Sequence, residues 1–174
     1  MNNRELNFYV ERYISGDCSA FDIIYEETKQ NVYLSIYAII KNRTVIEDLM
    51  QEVYMKVIDS LDYFKVGTNF RAWISKIARN QTINYYNRQK RELIVEDTSP
   101  TIINQATYNK TDSLLDASLS ILEGYEREIF IYRIVFDLTL KEVSNIMEMS
   151  LSTINYIYKN TLKKIKKEVV GKSL

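Results

Sequence analysis

Residues 46–64, IEDLMQEVYMKVIDSLDYF, run through a short break into residues 69–91, NFRAWISKIARNQTINYYNRQKR, and a later block, residues 138–167, reads LTLKEVSNIMEMSLSTINYIYKNTLKKIKK. In the first stretch Ile46, Leu49, Met50, Val53, Val57 and Leu61 recur on one stripe, the spacing of a helix that packs along one side. Asp48, Gln51, Glu52, Lys56 and Asp59 fall on its other faces. Thr44 with Glu47 predicts a capping box at its start, and Ser19 with Asp22 gives a weaker cap for a preceding helix. Around Val66-Gly67-Thr68-Asn69 the period breaks into a loop. Helical spacing resumes with Phe70, Trp73, Ile74, Ile77 and Ala78.

Nearly everything before Asn87 reads as helix. The chain has only four glycines and one proline, Pro100, and little strand-like alternation. Periodicity disappears across residues 93–113, rich in Ser, Thr, Asn and Asp, which are expected to form a linker. Helical patterning returns over residues 114–122 and 125–136. The fold class is therefore all-α: two small helical domains, residues 1–92 and 114–174, joined by a flexible linker. A 174-residue chain with 46% hydrophobic residues can supply two modest cores.

Formal net charge is zero, yet charge is segregated. Residues 71–91 hold Arg71, Lys76, Arg79, Arg88, Lys90 and Arg91 and no acid, a net of +6. Residues 159–172 hold six lysines against Glu168, a net of +5, while residues 92–128 hold eight acids against Lys110 and Arg127, a net of −6. A phosphate backbone responds to such local patches and not to the total. The plain alternative for each run is a solvated helix face.

With no histidine and one cysteine, Cys18, most nucleophilic and metal chemistry lacks its usual groups. No enzyme, metal or cofactor is expected. Cys18 cannot form an intrachain disulfide, so a reducing compartment and a buried, inert thiol are the expectation. No signal peptide is evident and residues 32–40 are too short to span a bilayer, which points to the cytosol.

In the first block Phe64, Trp73, Tyr85 and Tyr86 interleave with Arg71, Lys76, Arg79 and Arg88. Aromatic faces hold unstacked bases while cations follow the phosphates, each stacked base contributing roughly 1–3 kcal/mol. Trp73 shares the apolar stripe of Ile77 and reads as core. Tyr85 and Tyr86 cannot both face inward. The loop of residues 64–69, with Gly67, could host an extruded base.

The second block reads as a helix-turn-helix. Thr139 and Glu142 form a capping box, and Leu140, Val143, Ile146 and Met147 give the support helix its buried face. Glu148-Met149-Ser150 is the turn, and Ser150 caps the next helix. That helix presents Ser152, Thr153, Asn155, Tyr156 and Lys159 outward and Ile154, Ile157, Leu162 and Ile165 inward. Asn pairs bidentately with adenine and Ser or Thr serve several bases; Lys159, Lys163 and their neighbours suit phosphates. A single-strand platform and a major-groove reader in one chain can engage one DNA at two points.

The order and spacing of DLMQEV (residues 48–53), FRAWISKIARN (residues 70–80) and the block of residues 127–167 resemble bacterial RNA polymerase sigma factors of the extracytoplasmic-function class. The resemblance implies sigma-2 and sigma-4 domains and an alternative sigma factor that directs promoter-specific initiation. It implies docking of Asp48, Gln51 and Glu52 on the β′ clamp helices of core RNA polymerase, a further contact with the β flap, and an anti-sigma factor as partner. For the −10 element it implies Lys56, Phe64, Lys65, Gly67, Thr68, Asn69, Lys76, Arg79, Asn80, Asn84 and Arg88. For the −35 element it implies Ser150, Ser152, Thr153, Asn155, Tyr156, Lys159 and Lys163. The linker would thread toward the active cleft and RNA exit path. Four positions depart from the family pattern: Glu123 stands where proline is common, Glu148 where the turn often has glycine, and Asn155 and Ile157 where Lys then Arg are common. Two other readings stay open: a helix-turn-helix regulator or phage activator without sigma activity, and a helical adaptor that binds no DNA.

Overall fold

The computed structural model describes residues 1–95 and 113–170. By its contacts the chain divides into two compact units, Met1–Asn104 and Gln105–Leu174, and each is described by itself. All regular structure among the described residues is helical. Most of the expected linker lies outside the described residues. At its edges, helix continues to Val95 and begins again at Ser113.

The first unit contains α1 (Asn3–Ile14), α2 (Ala20–Tyr37), α3 (Arg43–Ser60), a 3-10 turn (Leu61–Tyr63) and α4 (Phe70–Val95). Its core is built from one stripe of each helix. Leu6 and Val10 of α1 meet Ile24, Val32 and Ile36 of α2, Ile46, Leu49, Val53 and Val57 of α3, and Phe70, Ile74 and Ala78 of α4. Burying each large aliphatic or aromatic chain contributes about 1.5–3 kcal/mol. The stripe expected on α3 is the buried one, with Met50 at its edge. Tyr54, not assigned to that stripe, is also buried there, its phenol 2.9 Å from the Thr28 hydroxyl, which also donates to the Ile24 carbonyl at 2.6 Å.

Two expected caps do not form. Asn42, not Thr44, closes the start of α3: its carboxamide oxygen accepts from the Thr44 and Val45 amides at 3.1 and 3.4 Å. Asn is the stronger cap, and once it holds the first-turn amides Glu47 turns instead to Arg43, 2.9 Å away. Ser19 makes no cap for α2, because its hydroxyl donates to Asp17 at 2.6 Å. Cys18, expected to be buried, is exposed in this same inter-helix turn.

The second unit contains α5 (Ser113–Ile121), α6 (Gly124–Phe130) running on into a π-helical turn (Ile131–Val135), α7 (Leu140–Met147) and α8 (Leu151–Ile165), which also ends in a π-helical turn (Lys166–Val170). Leu122, Ile129, Ile131, Tyr132, Leu138, Val143 and Ile154 are fully or almost fully buried. At the α5–α6 corner, where Glu123 replaces the common proline, the buried Arg127 guanidinium donates to the Leu122 carbonyl. Leu162, expected inward, is 39% exposed, and Thr161 is buried in its place. At about 100° per residue, Thr161 lies about 20° from Ile154 on the helical wheel and Leu162 about 80°.

Candidate nucleic-acid interface

Because α3 turns one stripe into the core, its opposite face is set out for contact. Asp48, Gln51, Glu52, Met55, Lys56 and Asp59 are all exposed. Acid, amide and thioether groups on a rigid helix suit a polar partner with some apolar surface.

The loop after α3 is organised by aromatic packing below and asparagine contacts from the side. Phe64, expected at the strand surface, is only 5% exposed. Its ring stands edge-on to Phe70 at 5.0 Å and tilts against Trp73 at 5.2 Å, favoured aromatic arrangements. Phe64 therefore props the loop from beneath. The aromatic that faces solvent is its neighbour Tyr63, 86% exposed, which the sequence reading passed over. Lys65, Gly67 and Thr68 are exposed. Gly67 has φ +88°, a backbone that side-chain-bearing residues rarely adopt. The Thr68 hydroxyl closes the turn on the Lys65 carbonyl at 2.7 Å. Asn69 directs its carboxamide oxygen to the Ala72 amide at 3.3 Å, at the start of α4, a role closer to capping than to base reading.

Across the loop lie two α1 side chains that the sequence reading did not single out. Asn3 donates to the Thr68 carbonyl at 3.1 Å and accepts from the Phe70 amide at 3.1 Å. Asn7 donates to the same carbonyl at 2.9 Å and accepts from the Gly67 amide at 3.3 Å.

The basic run on α4 divides in two. Arg71 pairs with Glu27 at 3.2 Å and donates to the Met1 carbonyl at 3.0 Å. Arg79, expected at the DNA surface, is 7% exposed. It lies one helical turn from Ser75 and Thr82, both fully buried, so α4 buries this second stripe as well as that of Phe70, Ile74 and Ala78. Lys76 is half-buried. The exposed part of the run is distal: Asn80, Asn84 and Arg88 follow one another at four-residue steps, with Lys90 and Arg91 beyond, a single ridge along the helix. Tyr85 packs against the core while Tyr86 is exposed, and the Arg88 guanidinium lies 5.9 Å from the Tyr85 ring centre.

In the second unit the turn between α7 and α8 forms as its sequence suggests. Thr139 and Glu142 make the reciprocal capping box, at 3.2 and 2.7 Å. Glu148 takes the left-handed backbone that glycine usually supplies, φ 55° and ψ 37°. Ser144 holds the turn by donating to the Met149 carbonyl at 2.6 Å. Ser150 accepts from the Thr153 amide at 3.2 Å, and its hydroxyl meets those of Ser152 and Thr153 at 2.9 and 2.7 Å. Ser152, Thr153, Tyr156, Lys159 and Lys163 are exposed and Asn155 is half-buried beside them. Lys164 is turned away from this face to Glu126, 2.8 Å distant; the hydrogen bond raises its pKa above the ordinary lysine value.

Among the described residues no group of three or more His, Cys, Asp or Glu could hold a metal ion. No described helix is long and apolar enough to cross a membrane.

Two family models match: Sigma-70 region 2 over residues 24–92 and Sigma-70 region 4 over residues 118–167. Among curated relatives, the ECF RNA polymerase sigma factor BldN of Streptomyces coelicolor is 25% identical over 168 residues, covering 90% of this chain and 64% of that protein. The ECF RNA polymerase sigma factor SigM of Bacillus subtilis is 28% identical over 138 residues, covering 74% of this chain and 82% of the relative. Among solved structures, the sigma factor RpoE of Bartonella quintana, crystallised with the anti-sigma factor NepR, superposes with a TM-score of 0.68 at 20% identity, covering 84% of this chain and 94% of that one. That last likeness establishes the fold.

Proposed function

The chain belongs to the sigma-70 family of RNA polymerase sigma factors, in the extracytoplasmic-function class, and from that premise we propose how its two units divide the work of an alternative sigma factor. Asp48, Gln51 and Glu52 on the outer face of α3 dock on the β′ clamp helices of core RNA polymerase. The loop of residues 65–69, with Lys56, Tyr63 and the Asn80–Asn84–Arg88 ridge, takes the opened strand of the −10 element, bases against the aromatic and amide groups and phosphates against the cations. Helix α8 enters the major groove at the −35 element. Ser152, Thr153, Asn155 and Tyr156 face base edges there, and Lys159 and Lys163 face phosphates. Residues 1–92 and 114–174 are the corresponding domains and residues 93–113 the linker between them.

The observation that carries this reading is the match of one chain to both the region 2 and the region 4 models, with exposed polar and basic side chains on a helix of each unit. Formal neutrality fits, because the polymerase supplies much of the affinity for DNA and an isolated specificity subunit need not bind duplex tightly. The protein carries no catalytic chemistry of its own, acts in the cytosol and binds an anti-sigma factor, a partner class with which RpoE is crystallised. The β flap is the expected polymerase contact of the second unit. Purified chain mixed with core polymerase should co-elute with it and give a run-off transcript from a cognate promoter. Failure to bind core overturns the proposal.

A further inference from the structure

We infer that Asn7, assisted by Asn3, is the positioning residue that sets the backbone of the strand-reading loop; this rests on the reading above that the loop faces the opened −10 strand. The two asparagines lie one turn apart on α1 and reach about sixty residues along the chain to the same short segment. Their carboxamides act in parallel. Both donate to the Thr68 carbonyl, at 3.1 and 2.9 Å, while their oxygens accept from Phe70 and Gly67, at 3.1 and 3.3 Å. The loop's inner backbone groups are thereby satisfied from one side, and its outer side is left to the exposed Lys65, Gly67 and Thr68.

Asn7 is the keystone of the pair. It is 6% exposed, and its second amide hydrogen goes to the Asn3 carbonyl at 2.8 Å, so every hydrogen-bonding atom of the carboxamide has a named partner. No other side chain of similar shape reproduces this set. Aspartate would press a carboxylate oxygen on the Asn3 and Thr68 carbonyl oxygens and be driven off the loop, so that the Gly67 amide loses its acceptor as it does with alanine. A loop that discriminates bases needs its backbone held before the strand arrives, since ordering it on binding would weaken and blur the contact. Asn7 touches no DNA and acts through the loop.

The test uses the full chain with Asn7→Ala and Asn7→Asp, and two readouts. Hydrogen exchange on the isolated protein follows the Gly67 and Phe70 amides. Selection by the reconstituted holoenzyme uses fork-junction DNA whose single-stranded element is randomised. We expect faster exchange at Gly67 in both variants, melting of the first unit still cooperative, core affinity unchanged, and base discrimination at the loop-facing positions reduced about tenfold. Unchanged exchange shows that Asn7 does not hold the loop and overturns the inference. Faster exchange with undiminished discrimination overturns it equally, because loop order would then be irrelevant to reading. If the wild-type holoenzyme selects no sequence at all, the sigma-factor reading fails instead, and the exchange readout alone decides whether Asn7 holds the loop.

Discussion

Tyr63 and Phe64 are adjacent in sequence and opposite in environment: Tyr63 is 86% exposed and Phe64 5%. The 3-10 turn of Leu61–Tyr63 ends α3 so that the first ring projects to solvent and the second enters the Phe70–Trp73 cluster. A swap of roles between neighbouring aromatics separates binding from stability in a testable way.

Tyr63→Ala should leave the urea midpoint of the first unit within experimental error and weaken holoenzyme binding to single-stranded −10 DNA by about 1–3 kcal/mol. Phe64→Ala should destabilise the unit by about 3–5 kcal/mol through cavity formation. Equilibrium unfolding and fluorescence titration with fork DNA measure the two effects; equal losses of binding and stability in both variants would contradict the assignment.

Gln51→Ala combined with Glu52→Ala should weaken core polymerase binding about tenfold, the cost of removing a central polar contact. Both side chains are exposed on α3, so the melting profile should not change. Titration of labelled core against the double variant provides the check.

Lys163 and Lys164 are neighbours in different surroundings. Lys163 is exposed, while Lys164 is bound to Glu126. Lys163→Ala should lower affinity across all upstream sequences and reduce the salt slope by about one, whereas Lys164→Ala should leave the slope intact. Asn155→Ala should instead relax base preference. Binding isotherms over a salt series, on matched and mismatched −35 duplexes, distinguish the three.

Burial holds the Tyr54 phenol above its ordinary value of 10.0, with the Thr28 hydrogen bond working in the opposite direction. The unfolded chain therefore releases this proton first. The contribution to stability is fully present below pH 10 and declines as pH rises above it. Tyr54→Phe should flatten that alkaline loss while removing about 0.5–1.5 kcal/mol at neutral pH; unfolding curves between neutral and strongly alkaline pH test both.

Much of this architecture is local and therefore legible in the chain. The α3 stripe follows from helical spacing alone, and the Thr139–Glu142 box and the Ser150 cap each depend on residues three apart. Glu148 could be foreseen in a left-handed backbone because a turn must occur there whatever residue stands in it. What escaped reading depends on competition or distance. Asn42 displaces the Thr44 cap because a stronger acceptor precedes it. Arg79 is buried because α4 packs on more than one helix, so its Ser75–Arg79–Thr82 stripe is covered as well as its apolar one; the residue type alone pointed outward. The Asn3 and Asn7 contacts join segments about sixty residues apart, and no spacing rule reaches that far. Phe64 and Tyr63 could not be ranked without knowing where α3 stops.

One chain, carried by core polymerase, is proposed to read two boxes of one promoter. Mapping transcript 5′ ends after overexpressing the protein tests this most directly. The new start sites should share two upstream elements at constant spacing. Start sites with no common sequence, or with one element alone, would contradict it.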